Sequence, residues 1–213
     1  MKLLTIHRAD HAETISLARR VVDTGIRKTE VPEVRIDALG LVGDIIADKV
    51  NHGGLDQAVY VYSREDADWW QSEYGYAVPS GGFGENLVFD GYDGATLRVG
   101  DRFTIGDVVL EATGPRIACA VVVHHVGDSE FLKRFRVAQR PGFYTRVLTY
   151  GTVQSGMRVG YKPASTDNPT ILELVEGYFD SSKDRAFLDY VLGAPISERD
   201  RVMYQARCDR LGT

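Results

Sequence analysis

Glycine divides the first 160 residues of this chain into short segments, and this punctuation limits the folds it can adopt. Between the glycines lie runs of four to six residues rich in β-branched and aromatic side chains, at 58–62, 96–99, 102–105, 108–112 and 143–148. Short strands joined by Gly-Asp and Asp-Gly turns are typical of a barrel or sandwich. We therefore predict a mainly β body, in the form of a barrel.

Two helices are expected to interrupt this body. Residues 63–74 begin with Ser63, which with Asp66 has the spacing of an N-terminal cap, and they carry an aromatic stripe. Residues 128–137 place large apolar side chains at helical spacing. The body is thus mainly β with a few helices.

The composition changes after residue 161. Residues 162–169 are rich in Pro, Ser and Asn, as linkers are, and helical periodicity follows at 170–179, 182–192 and 197–211. We predict two domains, a β-barrel body over 1–163 and a small three-helix domain over 168–213.

The amino-acid composition and the net charge exclude several classes of protein and function. The 213 residues are 44% hydrophobic and 26% charged, which excludes disordered, collagen-like and coiled-coil chains. A net charge of −5 argues against stable nucleic-acid binding. No apolar run reaches the roughly 18 residues of a membrane span, and the N-terminus lacks the pattern of a signal peptide. We expect a cytoplasmic protein that does not bind membranes, with both cysteines as thiols.

One candidate site lies at His52-Gly53-Gly54, with Asp56 nearby. Paired glycines let a backbone approach a ligand closely, and a histidine beside carboxylates can ligate or relay protons. The alternative is a tight turn in which His52 and Asp56 satisfy backbone groups.

A second candidate is the glycine-rich stretch 81–84, followed by Glu85 and Asn86. Its main-chain N–H groups and the Asn86 amide suit an anion such as a phosphate. It lacks the Lys-Ser/Thr ending of a P-loop, so the signal is weak by itself.

Arg116 and Cys119 form the third candidate, directly after a predicted strand. A guanidinium three residues from a thiol can bind an anion and favour the thiolate, a ligand for molybdenum, zinc or copper. The alternative is a small buried apolar cysteine. His124 and His125 are adjacent, and on a strand they would point to opposite sides.

These features occur in an order that resembles the MOSC domain family, and in particular its YiiM type. The resemblance rests on Thr-Gly-Ile-Arg-Lys at 24–28, Gly43-Asp44, Ala47-Asp48 with His52-Gly53-Gly54, Phe-Gly-Glu-Asn-Leu at 83–87, Gly100-Asp101, and Pro115-Arg116 with Cys119. In the YiiM type a MOSC body is followed by three helices, as predicted here.

The resemblance implies a β-barrel that binds the molybdenum cofactor, Mo-molybdopterin, with Cys119 as the protein ligand to the metal. The cofactor-binding residues it implies are Lys28, His52, Gly53, Gly54, Asn86 and Arg116. In the family pattern a proline precedes the cysteine and a lysine follows within two residues; here Ala118, Ala120 and Val121 stand there, which bears on cofactor affinity and substrate preference.

The resemblance also implies an activity, the reduction of N-hydroxylated small molecules such as hydroxylaminopurines and amidoximes. Oxygen-atom transfer from the N–OH group to molybdenum leaves the amine, and two electrons and two protons restore the metal and release water. Cys119 would tune the metal. His52 and Asp56 would orient the cofactor or relay protons, since histidine titrates near neutral pH.

No electron-carrying motif is evident in the sequence, so the activity implies a separate flavoprotein or iron–sulfur donor. The basic cluster Lys133, Arg134 and Arg136, with Arg140 nearby, is either its docking patch or simply a solvated helix face. The sequence makes no prediction of oligomeric state.

Three alternatives stay open from the sequence. The chain could carry molybdenum cofactor or sulfur without turnover, it could be a purely structural barrel, or it could be a cysteine hydrolase using Cys119 and His52. The motifs of serine hydrolases, zincins and zinc fingers are missing.

Overall fold

A computed structural model describes residues 1–18, 20–76 and 81–211. The strands are β1 Leu3–Arg8, β2 Glu13–Leu17, β3 Arg20–Thr24, β4 Thr29–Val31, β5 Glu33–Asp37, β6 Gly40–Leu41, β7 Val59–Ser63, β8 Leu87–Phe89, β9 Arg102–Ile105, β10 Val108–Pro115, β11 Phe143–Thr149, β12 Gly151–Gln154 and β13 Gly160–Lys162. The α-helices are α1 Arg64–Tyr74, α2 Ala120–Val126, α3 Phe131–Ala138, α4 Ile171–Phe179, α5 Arg185–Leu192 and α6 Glu198–Leu211, and a 3₁₀ turn covers Leu55–Gln57.

Eight strands form one sheet in the order β13-β9-β10-β11-β7-β8-β1-β4. All neighbours are antiparallel except β7 and β8, which run parallel. A three-stranded sheet, β12-β5-β6, and the hairpin β2-β3 complete the strands of the described residues. The fold is sheet-rich and mixed with helices. The strand pairing in the described residues does not close a ring, so the barrel stays a prediction.

The sheet buries residues in the pattern that its sequence dictates. Along β9 the exposed Arg102 and Thr104 alternate with the buried Phe103 and Ile105, as expected for a strand with one face in the core. All of β7 is buried, because the sheet continues on both sides of it and α1 follows directly.

The three C-terminal helices pack on the sheet. Thr170 caps α4 through a complete capping box with Glu173, and Ser197 accepts a hydrogen bond from Asp200 N at the start of α6. Leu174 and Leu188 belong to the same apolar cluster as Phe103 in the sheet. The helices predicted at 170–179, 182–192 and 197–211 are thus present, while the division into two domains stays a prediction.

One predicted strand is wrong, and one helix was not predicted. Residues 96–99 form a turn with one isolated bridge, between Arg98 and Thr170, because Asp93 binds the Thr96 backbone locally. The valine-rich run 120–126 forms helix α2, so His124 and His125 lie on a helix rather than a strand. Tertiary packing of Val122 into an aromatic cluster outweighs the β propensity of the valines.

None of the helices in the described residues combines the length and the apolar character needed to cross a membrane.

Candidate functional site

The centre of the candidate site is Arg116, which follows the last residue of β10. Strand β11 lies between β10 and β7, and this order places Tyr144 beside Tyr60 in register. The Arg116 guanidinium carbon lies 5.9 Å from the centroid of each of these two rings. Two aromatic faces therefore hold the guanidinium in the interior, where Arg116 is only 6% exposed.

The hydrogen-bond partners of Arg116 carry no carboxylate. Its Nη1 donates to His52 Nδ1 at 2.8 Å and to the Tyr144 hydroxyl at 3.0 Å, and its Nη2 lies 3.7 Å from Cys119 Sγ. Within the described ranges, no Asp or Glu forms an ion pair with Arg116. A buried cation of this kind is costly unless an anion balances it.

Burial influences the protonation states of both Arg116 and His52. Burial of Arg116 by itself would lower its pKa, but Tyr144, Cys119 and Tyr60 together raise the pKa above its ordinary value. Burial, and then the charge of Arg116, lowers the pKa of His52 to about 3. His52 is therefore a neutral acceptor at pH 7. This differs from the expectation that His52 titrates near neutral pH, because burial and then the Arg116 cation lower its pKa by more than the Asp48 carboxylate raises it.

Cys119 stands immediately before α2, in an extended backbone conformation. It is partly exposed, in contrast to Cys208, which is buried among the C-terminal helices. The Cys119 sulfur therefore lies beside the Arg116 guanidinium, in a residue that is not sealed in the core. A soft, accessible sulfur beside a cation suits binding of a soft metal that carries anionic ligands.

Lys28 is the second buried cation of the region, and its charge is already balanced. Its ammonium pairs with both carboxylate oxygens of Asp44, and the two side chains are 7% and 4% exposed. Asp44 also accepts hydrogen bonds from Ala9 N and from Asn86 Nδ2. Burial lowers the pKa of Lys28, and Asp44 opposes that effect. Lys28 thus ties two loops together.

Asn86 is fully engaged within the protein. Its Oδ1 accepts from Tyr60 N, and its Nδ2 donates to His7 O and to Asp44. The amide therefore joins β7, β1 and the Asp44 loop, which leaves its predicted contact with the cofactor without a free donor.

The glycine-rich stretch 81–84 folds around the carboxylate of Glu85. Gly81 N and Phe83 N donate to Glu85, so the N–H groups expected for an external anion already have an internal one. Burial raises the pKa of Glu85, and these two donors oppose that effect. Gly81 and Gly84 have φ of 85° and 82°, which explains the glycines.

The paired glycines after His52 are required by the backbone. Gly53 has φ of 73° and Gly54 φ of 82°, both in the left-handed region. A Cβ on Gly53 would meet Ile46 at 3.0 Å, whereas a Cβ on Gly54 would meet nothing within 4 Å. The backbone at Gly54 therefore borders open space beside His52.

The ion-pair and hydrogen-bond partners of the Asp56 side chain are residues other than Arg116 and Cys119. Its carboxylate pairs with Arg146 at 2.9 Å and accepts a hydrogen bond from Glu198 N, so it fastens the 3₁₀ turn to β11 and α6.

Part of the predicted basic cluster forms ion pairs within the protein. Arg134 pairs with Asp128 and Arg140 with Asp66, while Lys133 and Arg136 stay exposed.

Sequence reasoning missed two residues of the site. Tyr144 bonds Arg116 across the sheet, and only knowledge of the strand order could have placed it there. Asp44 belongs to the Gly43-Asp44 motif, so the sequence did mark this residue. No local pattern identified Lys28 as its partner.

A model of the family described as "MOSC domain" matches residues 48–160. The chain belongs to the MOSC domain family. The matched residues include His52, Arg116 and Cys119, and MOSC domains are associated with binding of the molybdenum cofactor.

The chain is also similar in sequence to several curated proteins. The chain is 27% identical to the uncharacterized protein YflK of Bacillus subtilis (strain 168) over 201 residues, which is 93% of this chain and 91% of YflK. It is 30% identical to the protein YiiM of Escherichia coli (strain K12) over 138 residues, 62% of this chain and 61% of YiiM. A protein named reductase from Gibberella moniliformis (strain M3125 / FGSC 7600) is 33% identical over 125 residues, 56% of this chain and only 22% of that protein.

Solved structures show the same fold. The crystal structure of YiiM from Geobacillus stearothermophilus superposes with a TM-score of 0.79 at 22% identity, covering 97% of this chain and 98% of that one. YiiM from Escherichia coli gives 0.76 at 23% identity, covering 100% of this chain and 94% of that one. This MOSC protein therefore has the YiiM fold over nearly its whole length.

The residues present fit an anionic cofactor that carries its own metal ligands. No group of three His, Cys, Asp or Glu side chains in the described part of the chain could hold a bare metal ion. The single accessible thiol of Cys119 and the cation of Arg116 instead suit a metal already bound by anionic sulfurs. The site can thus supply one sulfur ligand and one buried positive charge.

Proposed function

We propose that this MOSC protein is a molybdenum-cofactor-dependent oxidoreductase that reduces N-hydroxylated small molecules. The observation that carries the proposal is Arg116, a buried cation without a carboxylate whose Nη2 lies 3.7 Å from the accessible Cys119 sulfur. A site of this kind is incomplete without an anion. The family membership and the relative named reductase support a redox role for that anion.

When bound, the cofactor would supply a molybdenum centre that accepts the oxygen atom of an N–OH group and carries two electrons. Cys119 would provide the protein sulfur to that metal. Arg116 would neutralise anionic groups of the cofactor, and Tyr60 and Tyr144 would keep the guanidinium in place.

His52 would act as a neutral positioning residue. Because its imidazole accepts from Arg116 and its pKa lies near 3, it holds no proton to give at neutral pH beyond its single N–H. Lys28, Asp44 and Asn86 would hold the loops around the site. Protons for the reduction would then come from solvent or from groups of the substrate.

A separate electron donor is part of the proposal, with a flavoprotein or an iron–sulfur protein as the class. Lys133 and Arg136 are the exposed members of the basic cluster and would offer an acidic partner its docking contacts.

The test begins with the full chain purified from a host that makes the molybdenum cofactor. We expect molybdenum in the purified protein by elemental analysis, and reduction of N-phenylhydroxylamine to aniline with dithionite-reduced methyl viologen as donor. Cys119→Ser should lower turnover by at least about 10- to 100-fold, because loss of a ligand should cost no less than loss of a residue that supports one. Cys208→Ser, at the buried thiol, is the matched control and should keep turnover.

Two outcomes contradict the proposal. Molybdenum without turnover would instead indicate a cofactor carrier. Turnover that survives Cys119→Ser, with the same molybdenum content, would remove Cys119 from the reaction.

A further inference from the structure

His52 closes a short turn over residues 48–52, which we call the His52 turn. The Asp48 carboxylate accepts hydrogen bonds from Val50 N and Asn51 N, and the Asp48 carbonyl accepts one from His52 N at 3.0 Å. The turn is therefore held together by its own hydrogen bonds. Two glycines in the left-handed region follow it, and glycine keeps the most backbone freedom. The place of the turn against the rest of the protein thus depends on contacts outside it.

Hydrogen bonds join the His52 turn both to Arg116 and to helix α6. Arg116 Nη1 contacts the imidazole at 2.8 Å. One residue earlier, the Asn51 carbonyl accepts from Nη1 of Arg199, in the first turn of α6. The same Nη1 also donates to Gln57 Oε1, at the end of the 3₁₀ turn. Arg199 therefore bridges the two segments that flank the paired glycines.

The residues just before Arg199 fix the start of α6 against the sheet. Ser197 N donates to the carbonyl of Thr113 on β10 at 3.2 Å, and Glu198 N donates to the Asp56 carboxylate at 2.9 Å. Arg199 itself is exposed. Its side chain therefore reaches the His52 turn from an anchored backbone, while its guanidinium stays at the surface.

The charge of Arg199 also reaches the candidate site. Burial and then the charge of Arg116 lower the pKa of His52, and Arg199 lowers it further. The Asp48 carboxylate opposes these effects. Burial raises the pKa of Tyr144, and both arginines oppose that rise. Arg199 thus adds a second positive charge near the buried Arg116, as suits a site that attracts an anion.

We propose that Arg199 is a positioning residue of the anion site, which holds the His52 turn against Arg116. The inference rests on the proposed function, in which the anion is the molybdenum cofactor, and it gives the C-terminal helices a part in binding that cofactor. Without Arg199, the His52 turn would move away from Arg116, and the cofactor would be held less tightly.

Molybdenum retention is the first test. Arg199→Met should lower the molybdenum content after dialysis about tenfold, as loss of a supporting residue does at a metal site. Arg199→Lys keeps the charge and a donor, so it should restore most of the content. Arg201→Met is the matched control, because Arg201 also donates to two carbonyls, those of Leu192 and Ala194, but within the C-terminal segment. It should keep the wild-type content.

Proton NMR of the cofactor-free full chain is the second test, with His52→Gln identifying the His52 signal. In wild type this signal should change little from about pH 8 to about pH 4.5, because the pKa of His52 is lowered to about 3. Arg199→Met should raise that pKa by about 1–3, since the imidazole leaves its buried place beside Arg116. Arg199→Lys and Arg201→Met should behave like wild type.

The two measurements separate this inference from the proposed function. If Arg199→Met changes the His52 titration in a protein that never contains molybdenum, the positioning of His52 by Arg199 stands and the reductase proposal fails. If the protein contains molybdenum and Arg199→Met keeps both the metal and the His52 pKa, the inference fails alone.

Three further results would overturn the inference. Loss of molybdenum without a change at His52 would mean that Arg199 acts on the cofactor and not through the turn. A change at His52 with full retention of molybdenum would make the bridge purely structural. Equal losses in Arg199→Met and Arg201→Met would trace the effect to the packing of the C-terminal helices.

Discussion

Lys28 and Arg116, two cations with buried side chains, differ in whether a carboxylate balances their charge. Lys28 forms an ion pair with Asp44, and the Asp44 carboxylate also accepts hydrogen bonds from Asn86 and from a backbone N–H. Arg116 is as deeply buried, and its partners in the described residues are an imidazole, a phenol and a thiol. The first arrangement is complete in the protein alone. The second has no carboxylate among its partners in the described residues, so the comparison sets a structural ion pair beside the site that we propose for an anion.

The largest effect on the free energy of unfolding should come from breaking the Lys28–Asp44 ion pair. Asp44→Asn leaves Lys28 buried without its counter-charge, so we expect the free energy of unfolding to fall by about 3–5 kcal/mol. Urea denaturation measures this. Asp68→Asn, in an exposed pair with Arg64, is the control and should cost less than about 1 kcal/mol. Equal losses in the two variants would show that Asp44 does not balance Lys28.

The open cation should behave in the opposite way. Arg116→Met removes the charge that awaits an anion, so we expect molybdenum content after dialysis to fall about 10- to 100-fold, as for other residues that support a metal site. The free energy of unfolding should change by no more than about 1 kcal/mol, the net worth of its hydrogen bonds. A large loss of stability with full metal retention would reverse the contrast drawn between the two cations.

Acid should lower the free energy of unfolding through protonation of His52, which contacts Arg116. The folded pKa of His52, about 3, lies below its unfolded value of 6.5, so its contribution to stability is present above pH 6.5 and is lost as the pH falls towards 3. Between pH 7 and pH 5 we expect a loss of about 1–2 kcal/mol, discounted for partial exposure.

His52→Gln isolates this contribution in urea denaturation at the two pH values. The variant should lose less stability on acidification than wild type, and what it still loses comes partly from His7, whose pKa burial lowers to about 4. An identical pH dependence in both proteins would mean that His52 is not held neutral by burial and Arg116.

The smallest effect should come from Tyr144→Phe. The variant keeps the ring beside the Arg116 guanidinium and removes only the hydroxyl that accepts from Nη1, so we expect a loss of about 0.5–1.5 kcal/mol. Tyr161→Phe, with a hydroxyl bonded to Asp101 at a more exposed position, is a comparison away from the site. A loss above that of Asp44→Asn would make Tyr144, rather than Asp44, the main stabiliser of the region.

Local patterns predicted much of the fold. Ser63 begins α1 because its side chain caps Asp66 N, and Phe131 with Phe135 gives α3 its buried face. The helix 120–126 was missed because a run of valines also fits a strand, and only packing of Val122 decides between them. Strand order cannot be read from such patterns, since it depends on contacts between distant segments.

The site was predicted unevenly for the same reason. Arg116 and Cys119 are three residues apart, so their meeting follows from the local chain, and the loop carrying His52 joins them. Asn86 and Asp56 were expected at the cofactor, yet their side-chain partners lie within the protein. Whether a polar side chain is free for a ligand depends on every neighbour it meets, which one sequence does not specify.

The uncompensated charge of Arg116 also has a consequence for the protein in the cell. Any anion that binds the folded chain and not the unfolded one shifts the equilibrium towards the folded form. Resistance to proteolysis then becomes a gauge of occupancy. Under the proposed function this anion is the molybdenum cofactor, so cells deprived of molybdate would hold the protein in a more readily digested form.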